Sequence, residues 1–308
     1  MTYHSPASRR RRAQRRRRTL VRATLGTAVF GGLVALAGLG VSAGLTALTG
    51  EAQEPVRCAA ASDGTSWYLD ADQAETAALL TATSVHRDLP ARAATIAIAT
   101  GLQESKLRNI DYGDRDSVGI FQQRPSQGWG TVEQIMDPVY STGAFYDGLV
   151  TVDGYQEMAV TEAAQAVQRS GFPDAYAQHE VRSRAWASAL TGYSPAALTC
   201  TLAEPEAAGD PDVLAARVER DYAGLLTTST EAQTLSITVA GSALEAAVDE
   251  TGAERLGWGV AQWSVALADA HQVTEVSYGD QTWSREAAQW QTSEEPVPPG
   301  QVRVALAG

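Results

Sequence analysis

Gln103-Glu104-Ser105 is the chemically richest stretch of the chain. Eighteen residues beyond its glutamate comes Gln122, inside Ser117-Val118-Gly119-Ile120-Phe121-Gln122-Gln123. The value of Glu104 lies in its position. Residues 90–108 read as a helix, opened by Pro90 at a position favoured in first turns, with apolar residues at Ala94, Ile96, Ala97, Ile98 and Leu102. Ile96, Thr100 and Glu104 are four apart and share one helical face. An apolar helix that ends in a carboxylate, followed by a polar loop, sets an acid against apolar surface. A carboxyl in such a setting holds its proton nearer neutrality, and cleavage of a glycosidic bond needs such a general acid. A glutamate near a helix C-terminus is otherwise most often solvated and disfavoured by the helix dipole, so the loop after it carries the argument.

The elements that must position this pair read as mainly helical from 67 to 200. Asp70 and Asp72 can cap a helix running to about residue 88. Asp137-Pro138 opens another to about residue 150, a third spans 161–168, and Pro173 begins a last one ending near Gly192, a glycine suited to a C-cap. Residues 109–130 are loop-like, rich in Gly, Asp, Gln and Pro. No strand pattern is evident in this stretch. Residues 201–211 read as a linker. Residues 212–308 read as a small α+β domain, with strands at 235–239, 274–278, 281–284 and 302–306 and a helix around 260–267.

The ends say where such chemistry would happen. Nine arginines lie between Arg9 and Arg22, with no acidic residue before Glu51. Residues 23–50 carry no charge, and about 20 apolar residues suffice to cross a bilayer. The expectation is an Arg-rich cytoplasmic tail (1–22), a transmembrane helix (23–50), a linker (51–66) and everything after it outside. A signal peptide cleaved near Ala43, after Val41-Ser42, competes with the anchor, although the run exceeds the usual core of about 7–15 residues. Beyond residue 50, 15 Lys and Arg face 36 Asp and Glu, a net charge of −21. Nucleic acid is a poor partner for such a surface. Outside the membrane, a disulfide is the natural state of Cys58 and Cys200. It would clasp residues 59–199 and add at most about 4–5 kcal/mol through loop closure. Two buried free thiols are the alternative. No Cys or His neighbours stand at ligand spacing, so no metal and no cofactor is expected.

Glu104-Ser105 followed by Ser117-Val118-Gly119-Ile120-Phe121-Gln122 resembles the Glu-Ser … Ser-x-Gly-Leu-Met-Gln signature of lytic transglycosylases and other lysozyme-like domains. The longer run is similar to a membrane-anchored lysozyme-like subfamily of high-GC Gram-positive bacteria. It includes Asp111 to Ser117, Phe121 to Gly130, Ala166 to Ser170 and Pro173 to Tyr176, and covers residues 65–200. The resemblance implies a mainly α lysozyme-like domain, followed here by the small α+β domain and preceded by the transmembrane helix. It also implies cleavage of the β-1,4 bond between N-acetylmuramic acid and N-acetylglucosamine in peptidoglycan glycan strands. Glu104 would be the catalytic acid. Ser117, Gln122, Gln123, Gln168 and Tyr176 would contact the sugar or orient the acid, and Trp129 fits sugar stacking or packing equally. A water-using hydrolase normally needs a second carboxylate. Asp111, Asp114 and Asp116 are candidates in sequence, and none can be placed opposite Glu104, which leaves transglycosylase and hydrolase open. His86 and His179 read as solvated.

The C-terminal part resembles a DD-peptidase-like domain that has lost its metal, because Gln301 and Arg303 stand where a terminal His-x-His strand would supply ligands. A non-catalytic wall-binding scaffold, one of the cell-wall or secretion-complex proteins of a secretion or conjugation system, is the competing class. A partner-binding acidic ectodomain is a third.

Overall fold

Asp63 and Gly64 both have positive φ, 50° and 73°, the geometry of a two-residue turn whose twist matches the strands it joins. They connect β1 (Arg57–Ser62) to β2 (Thr65–Leu69). β3 (Leu198–Thr201) pairs with the other edge of β1, giving an antiparallel sheet in the order β2-β1-β3. A computed structural model of the protein describes residues 56–172, 174–239 and 250–308. The tail 1–22, the anchor expected at 23–50 and the cleavage point at Ala43 lie outside the described residues. Among those described, no helix is long and apolar enough to cross a membrane.

Cys58 and Cys200 face each other directly across β1 and β3 and form the disulfide. The bond closes a sequence separation of 142 residues. Both sulfurs are buried. A Cys58→Ser/Cys200→Ser double variant should lose about 2–4 kcal/mol in urea unfolding, below the loop-closure ceiling because β1–β3 pairing still restrains the ends. An unchanged midpoint would rule this out.

The helices follow their sequence signals closely. α1 (Ala71–His86) starts at Asp70, whose backbone N–H donates to Gln73 Oε1 at 2.8 Å, one half of a capping box. α2 (Ala91–Ser105) starts after Pro90 and stops at Lys106, a C-cap in the left-handed region. Then come the short α3 (Val132–Ile135) and α4 (Pro138–Val150), the latter capped by Asp137 accepting from Val139 N–H at 2.9 Å. α5 (Val160–Gln168) and α6 (Glu180–Leu190) complete this part. The helix expected to begin at Pro173 begins instead at Glu180, preceded by a 3-10 turn at Ala177–His179. Pro173 itself lies outside the described residues.

After β3 the chain forms α7 (Pro211–Tyr222), β4 (Leu226–Glu231), β5 (Thr234–Val239), α8 (Glu250–Ala266), β6 (Val273–Tyr278), β7 (Gln281–Ser284), β8 (Gln289–Thr292) and β9 (Gln301–Leu306). The six strands make one antiparallel sheet, ordered β4-β5-β9-β6-β7-β8.

The expected fold class is therefore corrected. The described chain is mixed, with eight helices and two antiparallel sheets of three and six strands, and is not mainly α. The missed strands have identifiable causes. β1 is Arg-Cys-Ala-Ala-Ala-Ser, whose alanines have weak strand preference. It is a strand because Cys58 and Ala60 are buried between two paired neighbours. The Asp-Gly turn was its one local signal, in a stretch read as linker 51–66.

The described residues form one compact unit, and the segment 201–211 does not interrupt its core. Gln262 on α8 is fully buried. Its Oε1 accepts from the Ala197 and Leu198 N–H groups at 2.8 Å each, and its Nε2 donates to Ala189 O at 2.7 Å and Ser194 O at 3.0 Å. Trp283 Nε1 donates to Thr199 Oγ1 at 2.9 Å and Trp290 Nε1 to Leu198 O at 2.8 Å. Buried Arg285 donates to Ala203 O at 2.6 Å and to Ala268 O at 3.0 Å. The large sheet and α8 thus hold β3, and with it the disulfide, from the far side.

Candidate functional site

α2 carries a buried stripe that includes Ile96 and Thr100, and Glu104 is half-buried where that stripe meets the surface. Its Oε1 accepts a 2.6 Å hydrogen bond from Tyr176 Oη. Tyr176 is fully buried, and burial first, then the neighbouring Glu104, push its phenol pKa well above the usual value. The tyrosine therefore stays protonated and serves as a fixed donor to the acid. Oε2 of Glu104 has no protein partner among the described residues.

The residue after the acid ties it to the loop. Ser105 Oγ donates to Ile120 O at 2.7 Å and accepts from Arg108 N–H at 3.1 Å. The residue before it does the same on the other side: Gln103 Oε1 accepts from Gln178 Nε2 at 3.1 Å and His179 Nε2 at 3.2 Å. His179 is half-buried rather than solvated as expected, and His86 is too, with its Nδ1 3.2 Å from Asp221 O. Residues 103 to 105 are thus held by two distant segments, 176–179 and the loop at Ile120.

The loop 109–130 is built on itself. Gly119 has φ +82°, and a Cβ there would lie 2.9 Å from Ile135 O, so only glycine fits. Gln122, at φ 49°, folds its side chain back and donates to Tyr112 O and Gly119 O, each at 3.3 Å. A Cβ on Gly113 would meet Gln122 Oε1 at 1.9 Å. Gln122 is thus a loop latch half open to solvent, with no hydrogen bond to Glu104. Gln123 does not reach the surface. It is 2% exposed, its Nε2 donates to Ser141 O at 3.1 Å, and its Oε1 is buried without a partner. It anchors the loop to α4, so its expected sugar contact is corrected. Ser117 is buried at the loop base, where its N–H donates to Asp114 O at 3.1 Å, and it makes no hydrogen bond to Glu104.

Of the three aspartates, Asp116 is fully engaged: Arg124 Nε donates to Oδ1 and Ser126 N–H to Oδ2, both at 2.8 Å. Those bonds hold its carboxyl well below the usual carboxylate range. Asp111 and Asp114 are exposed. Asp116 is therefore a poor proton donor or base.

Gln168 is half-buried and donates to Phe121 O at 2.7 Å. It lines a pocket of about 560 Å³ with Trp129, Thr151 and Arg169 among others. Glu104 does not line this pocket. Gln168 and Ser105 grip adjacent carbonyls, of Phe121 and Ile120, and so link pocket to acid. Gln103 and Ser105 belong to the stretch that the sequence singles out, but their positioning contacts, and the part His179 plays in them, were not legible there. His179 stands three residues after Tyr176, a spacing that brings both to one side of a helical turn.

Two histidines give the pH dependence of folding. Burial first, then Arg182, lowers the pKa of His179; burial first, then Arg217, lowers that of His271. Protons then bind the unfolded chain more readily than the folded one. Stability contributed by the neutral rings is complete above about pH 6.5, the unfolded value, and is lost as pH falls through it toward the lowered folded values. Urea midpoints measured from pH 7.5 to 5 should fall, and His179→Gln/His271→Gln should flatten the slope. Equal slopes would overturn the assignment.

A scan against protein-family models finds no match to this chain, and a comparison with curated proteins finds no similar sequence.

Proposed function

We propose that the protein cleaves the β-1,4 bond between N-acetylmuramic acid and N-acetylglucosamine of peptidoglycan, with Glu104 as its single acid and base. The observation that carries this reading is the 2.6 Å hydrogen bond from a buried tyrosine, its phenol pKa pushed up by burial, to a half-buried glutamate at the end of an apolar helix. The resemblance across residues 65–200 supplies the substrate. In this scheme Tyr176 fixes Oε1 and the proton resides on Oε2. Glu104 passes it to the glycosidic oxygen as the bond from that oxygen to the muramoyl C1 breaks. The carboxylate then takes the proton of the muramoyl 6-hydroxyl as that oxygen bonds to C1, giving a 1,6-anhydro product and regenerating the acid. No second carboxylate is required. That suits a site where Asp116 is already engaged by Arg124 and Ser126.

The disulfide and the acidic composition after residue 50 support a location outside the membrane, with the uncharged run 23–50 serving export or retention. Digestion of purified peptidoglycan by the full-length chain, read by mass spectrometry, tests the proposal. Anhydromuropeptides are expected. Reducing-end muropeptides would mean a hydrolase and would direct attention to Asp111 and Asp114. Wall binding with no release would leave the scaffold reading in its place.

A further inference from the structure

The pocket beside Gln168 has a composition of its own. Val152 and Val167 supply apolar wall, and Trp129 lies half-buried against the core. A Cβ on Gly148 would press on Val167 Cγ1 at 3.2 Å and meet Trp129 Cη2 at an ordinary contact distance of 3.6 Å. Gln127, Thr151 and Gln168 add amide and hydroxyl groups, and exposed Arg169 supplies a cation. Arg169, like Arg57, Arg182, Arg184, Arg255 and Arg303, makes no ion pair among the described residues, and of these it alone lines this pocket. Its charge is uncommitted, on a chain carrying −21 beyond residue 50. Such a surface repels anions at long range, so an anionic ligand must be captured by a local cation with a shaped site around it.

We propose that this pocket binds the peptide stem of a muramoyl residue, with Arg169 taking a stem carboxylate and Trp129 covering the apolar edge of the sugar or its N-acetyl group. The inference rests on the peptidoglycan reading and adds to it a preference for peptide-bearing over naked glycan. A guanidinium meets a carboxylate through paired N–H donors. Side-chain amides both donate to and accept from the stem's peptide groups, and an indole offers a large flat apolar face. The link to the acid is short: Gln168 bonds Phe121 O, and the adjacent Ile120 O is bonded by Ser105, next to Glu104.

The test compares Arg169→Gln with the unchanged full-length chain on two substrates, intact peptidoglycan and the same strands stripped of stems by an amidase. The binding of N-acetylmuramyl-L-alanyl-D-isoglutamine is followed in parallel by calorimetry at two salt concentrations. Expected is at least a tenfold loss for Arg169→Gln on intact strands, no change on stripped strands, and a tenfold weaker, salt-insensitive dipeptide affinity. Equal activity of variant and parent on both substrates, with unchanged dipeptide affinity, would overturn the pocket and leave the cleavage reading standing. A parent that cleaves neither substrate, yet binds the dipeptide through Arg169, would sustain the pocket and remove the cleavage reading. Trp129→Phe, which keeps most of the packing, should weaken dipeptide binding while leaving the melting curve in place; unchanged binding would count against the pocket.

Discussion

Replacing Glu104 by Gln should lower anhydromuropeptide release by about 100- to 10,000-fold, the range that a positioned general acid and base supplies. The fold should not notice. Glutamine keeps an oxygen that can accept from Tyr176, so urea unfolding should stay within about 0.5 kcal/mol of the parent. That contrast matters, because a loss of activity that tracked a loss of stability would show only damage. Tyr176→Phe is the companion. It removes the phenol that donates to Oε1 at 2.6 Å and keeps the ring in its buried place. A hydrogen bond to a charged group contributes about 1.5–3 kcal/mol, so kcat should fall about 10- to 100-fold. KM should stay nearly unchanged, since the hydroxyl points at the acid and not at substrate. Retention by Glu104→Gln of more than a tenth of parental activity would end the single-acid mechanism. A Tyr176→Phe effect confined to KM would reassign the tyrosine to binding.

The helix that carries Glu104 was readable from its sequence neighbourhood because helix position and apolar spacing are local properties. Its surroundings were not, for two reasons. The direction of a loop side chain depends on backbone angles that sequence spacing does not encode: Gln122 at φ 49° latches its own loop, and its neighbour Gln123 turns into the core. Strands without strand-like residues are the second reason. β1 is mostly alanine and is held by its partners and by the Cys58–Cys200 bond, both long-range. The C-terminal strands expected at 235–239, where alternation was visible, and at 274–278, 281–284 and 302–306 are present, whereas exposed β4 and short β8 did not announce themselves. Nothing local could show that α8 and the large sheet would grip β3 through Gln262, Trp283 and Trp290.

The same blindness applies to a buried charged cluster that joins the two halves of the sequence, and it yields the last prediction. Nothing local distinguishes Arg217, Arg220 and Asp221 from ordinary surface charges. In the fold Asp221 is fully buried. Arg217 Nε donates to its Oδ2 at 2.9 Å, Arg220 Nε to its Oδ1 at 2.8 Å, and Trp263 Nε1, 42 residues away, to Oδ2 at 3.1 Å. Arg217 also pairs with Glu75 on α1. One carboxylate therefore balances the charge on which α1, α7 and α8 converge. Asp221→Ala should cost about 3–5 kcal/mol, because it strands the largely buried Arg217 guanidinium and leaves an indole N–H without its acceptor. Glu75→Gln should cost about 1 kcal/mol, since Glu75 is a third exposed and Arg217 keeps Asp221. A decisive comparison adds Arg217→Met to Asp221→Leu. Removing both charges avoids an unpaired buried ion, so the double variant should be more stable than Asp221→Ala alone. Should the double variant prove the less stable of the two, the cluster would be holding the fold through its hydrogen bonds rather than through charge balance.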